Sequence, residues 1–175
     1  MTIAPWRTGE PTRRSSRRRT LAPGELLGVA EELARSAGSW PGLHDPSERC
    51  WRTIAVTKRY EAWVVAWPVG GSVELHDHGD CSGAVVVASG RLVESSLRAG
   101  TGGRPEAVSV TVGTGDHVVF GPGHVHDLVN EGPGPALSVH VYSPALRTMT
   151  FFDRSADHGL VAARTEEYRE GILVG

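Results

Sequence analysis

The sequence predicts an all-β domain, a small barrel or sandwich, with one helical segment on its N-terminal side. From about residue 51, short runs rich in β-branched and aromatic residues are separated by turns rich in glycine and proline. Before that point, apolar residues recur at helical spacing. The length of 175 residues suits a single domain with a substantial core.

The runs with strand composition span about 51–153 and predict the β-barrel. They are W-R-T-I-A-V-T, Y-E-A-W-V-V-A-W, A-V-V-V-A-S, A-V-S-V-T-V, H-V-V-F, L-S-V-H-V-Y and T-M-T-F-F. Glycine and proline separate them where a turn needs a positive or a fixed φ. We expect the tail after Asp153 to be irregular or weakly helical, and to cover a barrel mouth or a neighbouring subunit.

The helix is predicted over about 23–38, inside a single domain of residues 21–175. Pro23 lies near its start, where a missing N–H is tolerated, and Gly38 lies near its end. Residues 1–20 are expected to form a flexible arm, in which five arginines fall within seven positions. Acidic residues interrupt the apolar stretch that follows the arm, so a secretory signal is not predicted.

Charge and composition exclude several classes of function. The formal net charge is -2, whereas nucleic-acid binding needs a broad basic face. No apolar run has the length needed to span a bilayer. Two cysteines are too few for a disulfide framework and indicate a reducing compartment. We expect a cytoplasmic protein that binds neither nucleic acid nor membrane.

Two histidines, His76 and His78, flank Asp77 in the segment H-D-H. On a strand every second side chain points in the same direction, so the two imidazoles can bind one metal ion while Asp77 points away. The segment therefore predicts half of a metal site.

Glycines around this segment extend the pattern. Gly70 precedes the histidine pair, and Gly90 follows the stretch S-G-A-V-V-V-A-S-G, at the spacing of the first cupin motif. The stretch G-D-H-V-V-F-G-P-G-H-V-H-D-L-V-N over 115–130 resembles the second cupin motif, which makes His126 the third histidine of the set. Where a typical cupin has a metal-binding glutamate, this chain has Gly83. The resemblance implies a cupin double-stranded β-helix, a small barrel of the jelly-roll type, with a three-histidine metal site.

Such a site carries chemical expectations of its own. Three neutral imidazoles leave the charge of a divalent ion uncompensated, and about three octahedral positions stay open. The site therefore favours an anionic ligand from outside the protein, and a thiolate suits this role because a metal deprotonates a thiol. Ferrous iron is the predicted metal, and zinc is its main rival.

Three segments together resemble the bacterial cysteine dioxygenases, a branch of the thiol dioxygenases in the cupin superfamily. They are H-D-H-G-D-C-S-G from His76, H-D-L-V-N from His126, and A-L-S-V-H-V-Y-S-P over 136–144. The likeness runs from about Arg52 to about Asp153. It implies a mononuclear non-haem Fe(II) enzyme that converts L-cysteine and O2 to cysteine sulfinic acid, without an organic cofactor.

Ser138, His140 and Tyr142 alternate along one strand and therefore share a face. Polar groups inside a small barrel need partners, and this set can satisfy itself if the serine fixes the imidazole tautomer and the imidazole orients the phenol. The resemblance implies that Tyr142 lies beside the iron, where it interacts with substrate and O2, and that His140 and Ser138 orient it for catalysis. A polar network that only stiffens the barrel is the alternative.

A thiol with a carboxylate needs a cation within reach. The family has an arginine on an early strand, in a pattern that this chain shows as C-W-R-T-I-A, so the resemblance makes Arg52 the carboxylate ligand. A planar guanidinium suits this role because it pairs with both carboxylate oxygens. Arg49 or Arg59 takes the role if the register shifts, and a solvated strand position is the other interpretation of Arg52. Relatives that act on 3-mercaptopropionate tend to have glutamine here, so the arginine favours cysteine.

Cys81 and the remaining histidines carry weaker expectations. Gly83 stands where mammalian relatives have a cysteine that is thioether-linked to the tyrosine matching Tyr142. Cys81 lies on the same side of a regular strand, yet no crosslink is expected, and a small, partly buried hydrophobe is the simpler interpretation. His124 shares a face with the third predicted ligand and is a candidate fourth ligand or pocket residue. Surface positions are expected for His44, His117 and His158.

Two other functions stay open at this point. A thiol dioxygenase for another small thiol, such as 3-mercaptopropionate, differs only in its substrate. A non-catalytic cupin binds a sugar or another small ligand and regulates a partner. For the enzyme, the expected partners are L-cysteine or a related small thiol and O2, and the chain is expected to be a monomer or a weak homo-oligomer.

Overall fold

The structure is a computed structural model, and it describes residues 20–36, 40, 42–99, 105–155 and 159–174. Nearly all of the predicted arginine-rich arm lies outside the described residues, and so does His158. Within the described part, no helix combines the length and the apolar character that crossing a membrane requires.

One helix and twelve strands make up the described part of the chain. In chain order they are α1 (Pro23–Ala34), β1 (Cys50–Val56), β2 (Glu61–Trp67), β3 (Ser72–His76), β4 (Ser82–Ser89), β5 (Arg91–Ala99), β6 (Pro105–Gly113), β7 (His117–Phe120), β8 (His126–Val129), β9 (Ala136–Ser143), β10 (Thr148–Arg154), β11 (Leu160–Arg169) and β12 (Ile172–Leu173). The helix begins at Pro23 as predicted and ends at Ala34, where the sequence predicted an end near residue 38.

The strands form two antiparallel sheets. One has five strands in the order β1-β2-β9-β4-β7, and the other has seven in the order β12-β11-β10-β3-β8-β5-β6. Strands that are neighbours in a sheet are often distant in sequence, as a double-stranded β-helix requires. The predicted fold class, an all-β cupin barrel with an N-terminal helical segment, is confirmed.

The central strands of the five-stranded sheet are buried on both faces, because the sheet lies between two layers. Trp63, Val65 and Trp67 alternate along β2 and face the main core between the sheets. On the outer face, Leu26 and Ala30 of α1 pack against the sheet with no exposed surface. This explains why β2 and β9 carry almost continuous apolar sequence instead of a polar alternation.

The prediction for the tail is wrong, because β11 continues the seven-stranded sheet through Arg169. Its sequence, L-V-A-A-R-T-E-E-Y-R, contains several good helix formers, but antiparallel pairing with β10 over most of its length overrides that local preference. The turn after β11 then contacts β1. Trp51 Nε1 donates to the carbonyl oxygen of Gly171 at 3.1 Å, and the Thr53 hydroxyl donates to that of Glu170 at 3.0 Å. The tail therefore joins the seven-stranded sheet and contacts the five-stranded sheet through this turn.

Candidate metal centre

Three buried histidines converge between the two sheets. His76 and His126 are direct cross-strand partners on β3 and β8, and His78 follows two residues later in the loop after β3. Their ring centroids lie 4.7 to 5.1 Å apart. One nitrogen from each ring lies within 4.8 Å of the others, which allows one metal ion to bind all three. The structure therefore brings together the three predicted ligands.

Asp77, which lies between two of these histidines, points away from them. Its Oδ1 accepts the backbone N–H of Gly79 at 3.1 Å and that of Thr150 at 3.2 Å. The carboxylate thus holds the loop after β3 against β10 and points away from the three histidines, as predicted, although Asp77 and His78 lie beyond the end of the strand.

The protonation states of the three rings suit metal binding. Burial lowers the pKa of His76 and His78 well below the usual value, and the proximity of the other imidazoles lowers both further. Burial also lowers the pKa of His126, although Glu94 opposes that shift. Neutral imidazoles keep a free lone pair, and His126 Nε2 is buried without a hydrogen-bond partner among the described residues. A divalent ion fits this donor set.

Hydrogen bonds orient two of the three rings. His76 Nδ1 donates to the backbone carbonyl of Glu74 at 2.7 Å. His126 Nδ1 donates to Glu94 Oε1 at 2.7 Å, which fixes the tautomer that leaves Nε2 free for a metal. Burial acts to raise the pKa of Glu94, but the hydrogen bonds from His124 and His126 outweigh burial and lower that pKa to about 2.

Glu94 is a functional candidate that the sequence analysis missed. It is buried, and its Oε1 accepts hydrogen bonds from both His126 and His124, the latter at 3.1 Å. A signal was present, because Glu94 follows the buried Leu92 by two residues and so has the inward phase of β5. His124, the candidate fourth ligand or pocket residue, lies beside His126 as a second partner of this carboxylate.

Gly83 lies on β4 between two aromatic residues of neighbouring strands, Tyr142 on β9 and Phe120 on β7. A Cβ atom at this glycine would lie 2.3 Å from Phe120 Cζ, which is far inside van der Waals contact. The Phe120 ring therefore occupies the space that a side chain at position 83 would need. A fourth protein ligand from this position does not fit beside that ring.

Ser138, His140 and Tyr142 form a continuous hydrogen-bonded chain on the inward face of β9. Ser138 Oγ lies 2.8 Å from His140 Nε2, and His140 Nδ1 lies 3.3 Å from the Tyr142 hydroxyl. Trp67 Nε1, which can only donate, donates to Ser138 Oγ at 2.8 Å. The sequence analysis missed this contribution of Trp67, whose inward phase on β2 was the available signal.

These contacts assign the protons along the chain. Ser138 is fully buried and accepts from Trp67, so its own O–H donates to His140 Nε2. The proton of His140 then lies on Nδ1 and is donated to the Tyr142 oxygen, which leaves the phenolic O–H free to donate into the cavity. Burial lowers the pKa of His140 to about 3 and raises the pKa of Tyr142, so both groups are neutral at physiological pH.

A small cavity of about 30 Å³ lies beside this group. His76, His140 and Tyr142 contribute polar atoms to its wall, and three tryptophans and other apolar side chains supply most of the rest. The lining residues are Arg49, Trp51, Trp63, Val65, Trp67, Val73, His76, Leu128, His140, Tyr142, Met149, Phe151 and Tyr168. Tyr168, on the C-terminal strand β11, was missed because the sequence analysis expected no strand there.

The structure does not bring Arg52 to this cavity. Arg52 is exposed and pairs with Val64, whose side chain faces the outer layer, whereas the neighbouring Trp51 faces inward. Arg49, one of the predicted alternatives, has the same phase as Trp51 and lines the cavity. Its guanidinium carbon lies 5.4 Å from the centroid of Trp51 and 5.7 Å from that of Trp67, and burial lowers its pKa.

The other predicted alternative and the outlying histidines lie away from the cavity. Arg59 pairs with Glu25 of α1 at 2.9 Å on the protein surface. His44 and His117 are exposed, as predicted.

Cys81 and Glu61 are buried near Tyr142 at one end of the five-stranded sheet. The Cys81 thiol donates to the carbonyl oxygen of Pro144 at 3.3 Å, and burial raises its pKa to about 12. Glu61 is the direct cross-strand partner of Tyr142, and its Oε1 accepts from Trp63 Nε1 at 2.6 Å. Burial raises the pKa of Glu61, whose Oε2 has no partner among the described residues. The sequence analysis did not single out Glu61.

The profile of the family described as cysteine dioxygenase type I matches residues 29–155. The chain belongs to this family. The matched range includes both histidine segments and all of β9. It therefore contains the three clustered histidines, Gly83 and the hydrogen-bonded chain that ends at Tyr142. Membership in the cysteine dioxygenase family confirms the resemblance on which the sequence analysis relied.

Solved structures similar to this chain include a conserved protein with a double-stranded β-helix domain from Klebsiella pneumoniae subsp. pneumoniae, at 22% identity over 70% of this chain and 91% of that chain, with a TM-score of 0.46. A cupin superfamily protein from Desulfitobacterium hafniense matches at 10% identity over 55% of this chain and 78% of that chain, with a TM-score of 0.46. Oxalate oxidase in complex with the substrate analogue glycolate matches at 20% identity over 67% of this chain and 56% of that chain, with a TM-score of 0.49.

Proposed function

We propose that this protein is a mononuclear non-haem Fe(II) dioxygenase that converts L-cysteine and O2 to cysteine sulfinic acid. One observation carries the proposal. The cluster of three neutral, buried imidazoles reaches, through His76, a small cavity whose wall also includes a phenol with a free O–H and one arginine. The histidines would hold the metal, the arginine would bind a carboxylate, and the phenol would donate a hydrogen bond to the reacting atoms.

The chemistry assigned to the metal follows from the donor set. Ferrous iron, when bound by His76, His78 and His126, supplies open positions for a thiolate and O2 and the electrons that activate O2. Neutral nitrogen ligands without a protein carboxylate support iron in a site whose substrate brings the negative charge. Zinc accepts the same ligands but cannot exchange electrons, so iron is the metal that this reaction requires.

Tyr142 is the proposed catalytic residue, and His140 and Ser138 position it. Because burial raises the pKa of Tyr142, its phenol stays protonated and donates a hydrogen bond toward the cavity. Ser138 and His140 keep the direction of that donor constant, since each of their protons is already assigned within the chain. A fixed donor of this kind stabilises charge that develops on oxygen during the reaction.

Arg49 is the proposed carboxylate ligand, in place of Arg52. It is the one arginine that lines the cavity among the described residues, and its charge lies over the faces of Trp51 and Trp67. The fork of donors can pair with both oxygens of a substrate carboxylate. Binding at this end fixes the thiol sulfur at the other end, beside the histidines, and such positioning contributes several kcal/mol to lowering the barrier, roughly up to 7–11 in the best cases.

The overall reaction is balanced without a further reactant. One thiol and one O2 give one sulfinic acid, in which both oxygen atoms are bonded to sulfur. Sulfur loses four electrons and the two oxygen atoms gain four. No external reductant or organic cofactor is needed. We expect the reaction to take place in the reducing cytoplasm, where cysteines stay unpaired, because both cysteines of this chain are free.

The test is oxygen uptake together with product analysis. Purified protein is loaded anaerobically with Fe(II), L-cysteine is added, and O2 consumption is followed while mass spectrometry quantifies cysteine sulfinate. One O2 consumed per sulfinate formed is the expected result. Variants that replace any one of the three histidines by alanine should lose metal and turnover together. An iron-loaded protein that consumes no O2 with any thiol would contradict the proposal and favour a non-catalytic ligand-binding cupin.

A second candidate substrate is a thiol acid without an amine, such as 3-mercaptopropionate. The observation that favours it is the absence of any carboxylate among the described residues that line the cavity, so the wall offers no anionic partner to a substrate ammonium. Parallel assays with both thiols compare kcat/KM directly. A higher value for the amine-free acid would keep the mechanism and change the substrate.

A further inference from the structure

The three histidines differ in how the protein orients their rings. A carbonyl oxygen accepts from His76, and a carboxylate accepts from His126. No hydrogen bond to a described residue fixes the ring of His78, whose Nδ1 is buried without a partner. Because ring orientation decides where the lone pair of a metal ligand points, something else must hold this imidazole.

Two aromatic rings provide that support. The Phe120 ring stacks on His78 with centroids 4.8 Å apart and an angle of 22° between the planes. The Tyr142 ring contacts the same imidazole at 5.1 Å and 34°. Phe120 itself stacks on His124 at 5.2 Å and 15°, so its ring is held from both sides. Among the described residues, packing and not a hydrogen bond therefore confines the His78 imidazole.

The absence of a side chain at Gly83 leaves room for the Phe120 ring beside His78. The two residues are cross-strand partners on β4 and β7, with Tyr142 opposite Gly83 on its other side. A Cβ atom at position 83 would lie 2.3 Å from Cζ, 2.6 Å from Cε2 and 3.0 Å from Cε1 of Phe120. All three atoms belong to a rigid ring that is buried against histidines, so the ring cannot yield without leaving His78.

We infer that Phe120, admitted by Gly83, is the positioning residue for the metal ligand His78. This inference rests on the proposed function only in requiring that the histidines bind a divalent metal. It assigns Phe120 no contact with substrate. The pair also explains why β4 contributes no ligand: the volume beside the metal group is used for an apolar ring that orients an imidazole.

Cobalt(II) alone tests the inference, because its affinity and its visible absorption spectrum report on the ligand set without thiol or O2. The variants are Phe120→Leu, which keeps apolar volume but removes the ring face, Gly83→Ala, which displaces the ring, and the double variant. Phe152→Leu is the matched control, since Phe152 is a partly buried residue on the opposite face of β10 from the cavity residue Phe151. Thermal unfolding of the metal-free proteins establishes that each variant is folded.

Each single variant should bind cobalt about tenfold or more weakly and show an altered spectrum, as expected when support behind a ligand is lost. The double variant should be no weaker than Phe120→Leu, because a Cβ at position 83 has no effect once the ring is gone. Phe152→Leu should match the wild type. If Phe120→Leu does not fold, Gly83→Ala with Phe120→Met carries the same test.

Wild-type affinity and spectrum in folded Phe120→Leu would overturn the inference, and so would additive losses in the double variant. The outcome is separable from that of the proposed function. A protein that binds cobalt in a Phe120-dependent way but oxidises no thiol keeps the inference and rejects the dioxygenase. A protein that oxidises thiols equally well with and without the Phe120 ring, at unchanged cobalt affinity, does the reverse.

Discussion

Replacing Arg49 by glutamine distinguishes the arginine that the structure places in the cavity from the one that the sequence pattern selected. Glutamine keeps a polar side chain but removes the charge. The matched control is Arg52→Gln, the same change three residues away on the exposed face. The two variants differ in whether the lost guanidinium faces the cavity, so their comparison isolates the contribution of the substrate contact.

The magnitude follows from the surroundings of Arg49. Its guanidinium is partly desolvated over two tryptophan rings, and burial lowers its pKa. Removing one partner of a buried, hydrogen-bonded charge pair costs about 2–5 kcal/mol. Arg49 is only partly buried, so we take the lower half of that range. With about 1.4 kcal/mol for each factor of ten, kcat/KM for a carboxylated thiol should fall roughly 30- to 300-fold.

The assay is O2 uptake with sulfinate detection on L-cysteine, 3-mercaptopropionate and cysteamine, a thiol that lacks a carboxylate. Arg49→Gln should lower kcat/KM for the two acids and leave the weak reaction with cysteamine nearly unchanged, while Arg52→Gln should stay within about twofold of wild type on all three, as surface changes usually do. A large loss in Arg52→Gln with wild-type behaviour in Arg49→Gln would refute the assignment. Equal losses on all three thiols would show that Arg49 supports the fold and not the carboxylate.

Four further outcomes are expected. Tyr142→Phe should keep cobalt affinity within twofold and lower kcat by about 10²–10³, the usual effect of removing one preorganised donor, and unchanged kcat would exclude its proposed role. Ser138→Ala leaves the buried indole N–H of Trp67 without its acceptor, so the free energy of unfolding in urea should fall by about 1–3 kcal/mol and kcat should fall with it. Iodoacetamide at pH 8 should alkylate the half-buried Cys50 of the folded protein but not Cys81, because the Cys81 pKa of about 12 keeps this residue a thiol. Rapid modification of Cys81 would contradict the raised pKa. Because burial raises this pKa, the unfolded chain releases the Cys81 proton from about pH 9 while the folded chain retains it, so Cys81 makes the protein less stable as pH rises from 9 toward 12.

Local periodicity predicted much of the site. Ser138, His140 and Tyr142 alternate along β9, and this spacing translates directly into a shared face of a strand. His76 and His78 are also two residues apart, but His78 lies just beyond the end of β3, so the loop, and not strand alternation, brings it to His76. The glycine and proline turns marked the strand boundaries well enough to place these residues in one barrel. The convergence of His126 came from the motif resemblance, because no local rule predicts which distant strands pair.

The periodicity of the sequence did not decide whether Arg52 faces the core or the solvent. In the segment R-C-W-R, either Arg49 and Trp51 or Cys50 and Arg52 face the core, and a shift of the strand register by one residue exchanges the two faces. The structure buries the Trp51 phase, which takes Arg49 inward and Arg52 outward, and a register irregularity follows between Thr53 and Ala55. The larger aromatic surface of tryptophan favours this choice, but the sequence pattern alone left both phases open.

Other contributions depend on contacts between residues far apart in the chain. Glu94 meets His126 across 32 positions, and Trp67 meets Ser138 across 71. Tyr168 reaches the cavity only because β11 pairs with β10. In each case the residue type was unremarkable in its own segment, and its role appears only when the sheets are assembled.

The division of the centre between two sheets has a consequence for how such an enzyme is tuned. His76 and His126 belong to the seven-stranded sheet, whereas Tyr142 belongs to the five-stranded sheet. The distance from these histidines to the Tyr142 phenol therefore depends on the spacing between the two sheets, which the apolar side chains of the core determine. Val85 and Leu92 belong to this core and do not line the cavity, so a methyl group added or removed at either position changes the spacing between the sheets without changing the cavity wall. The distance between the histidine cluster and Tyr142 can thus change through the packing of the core while the three histidines stay the same.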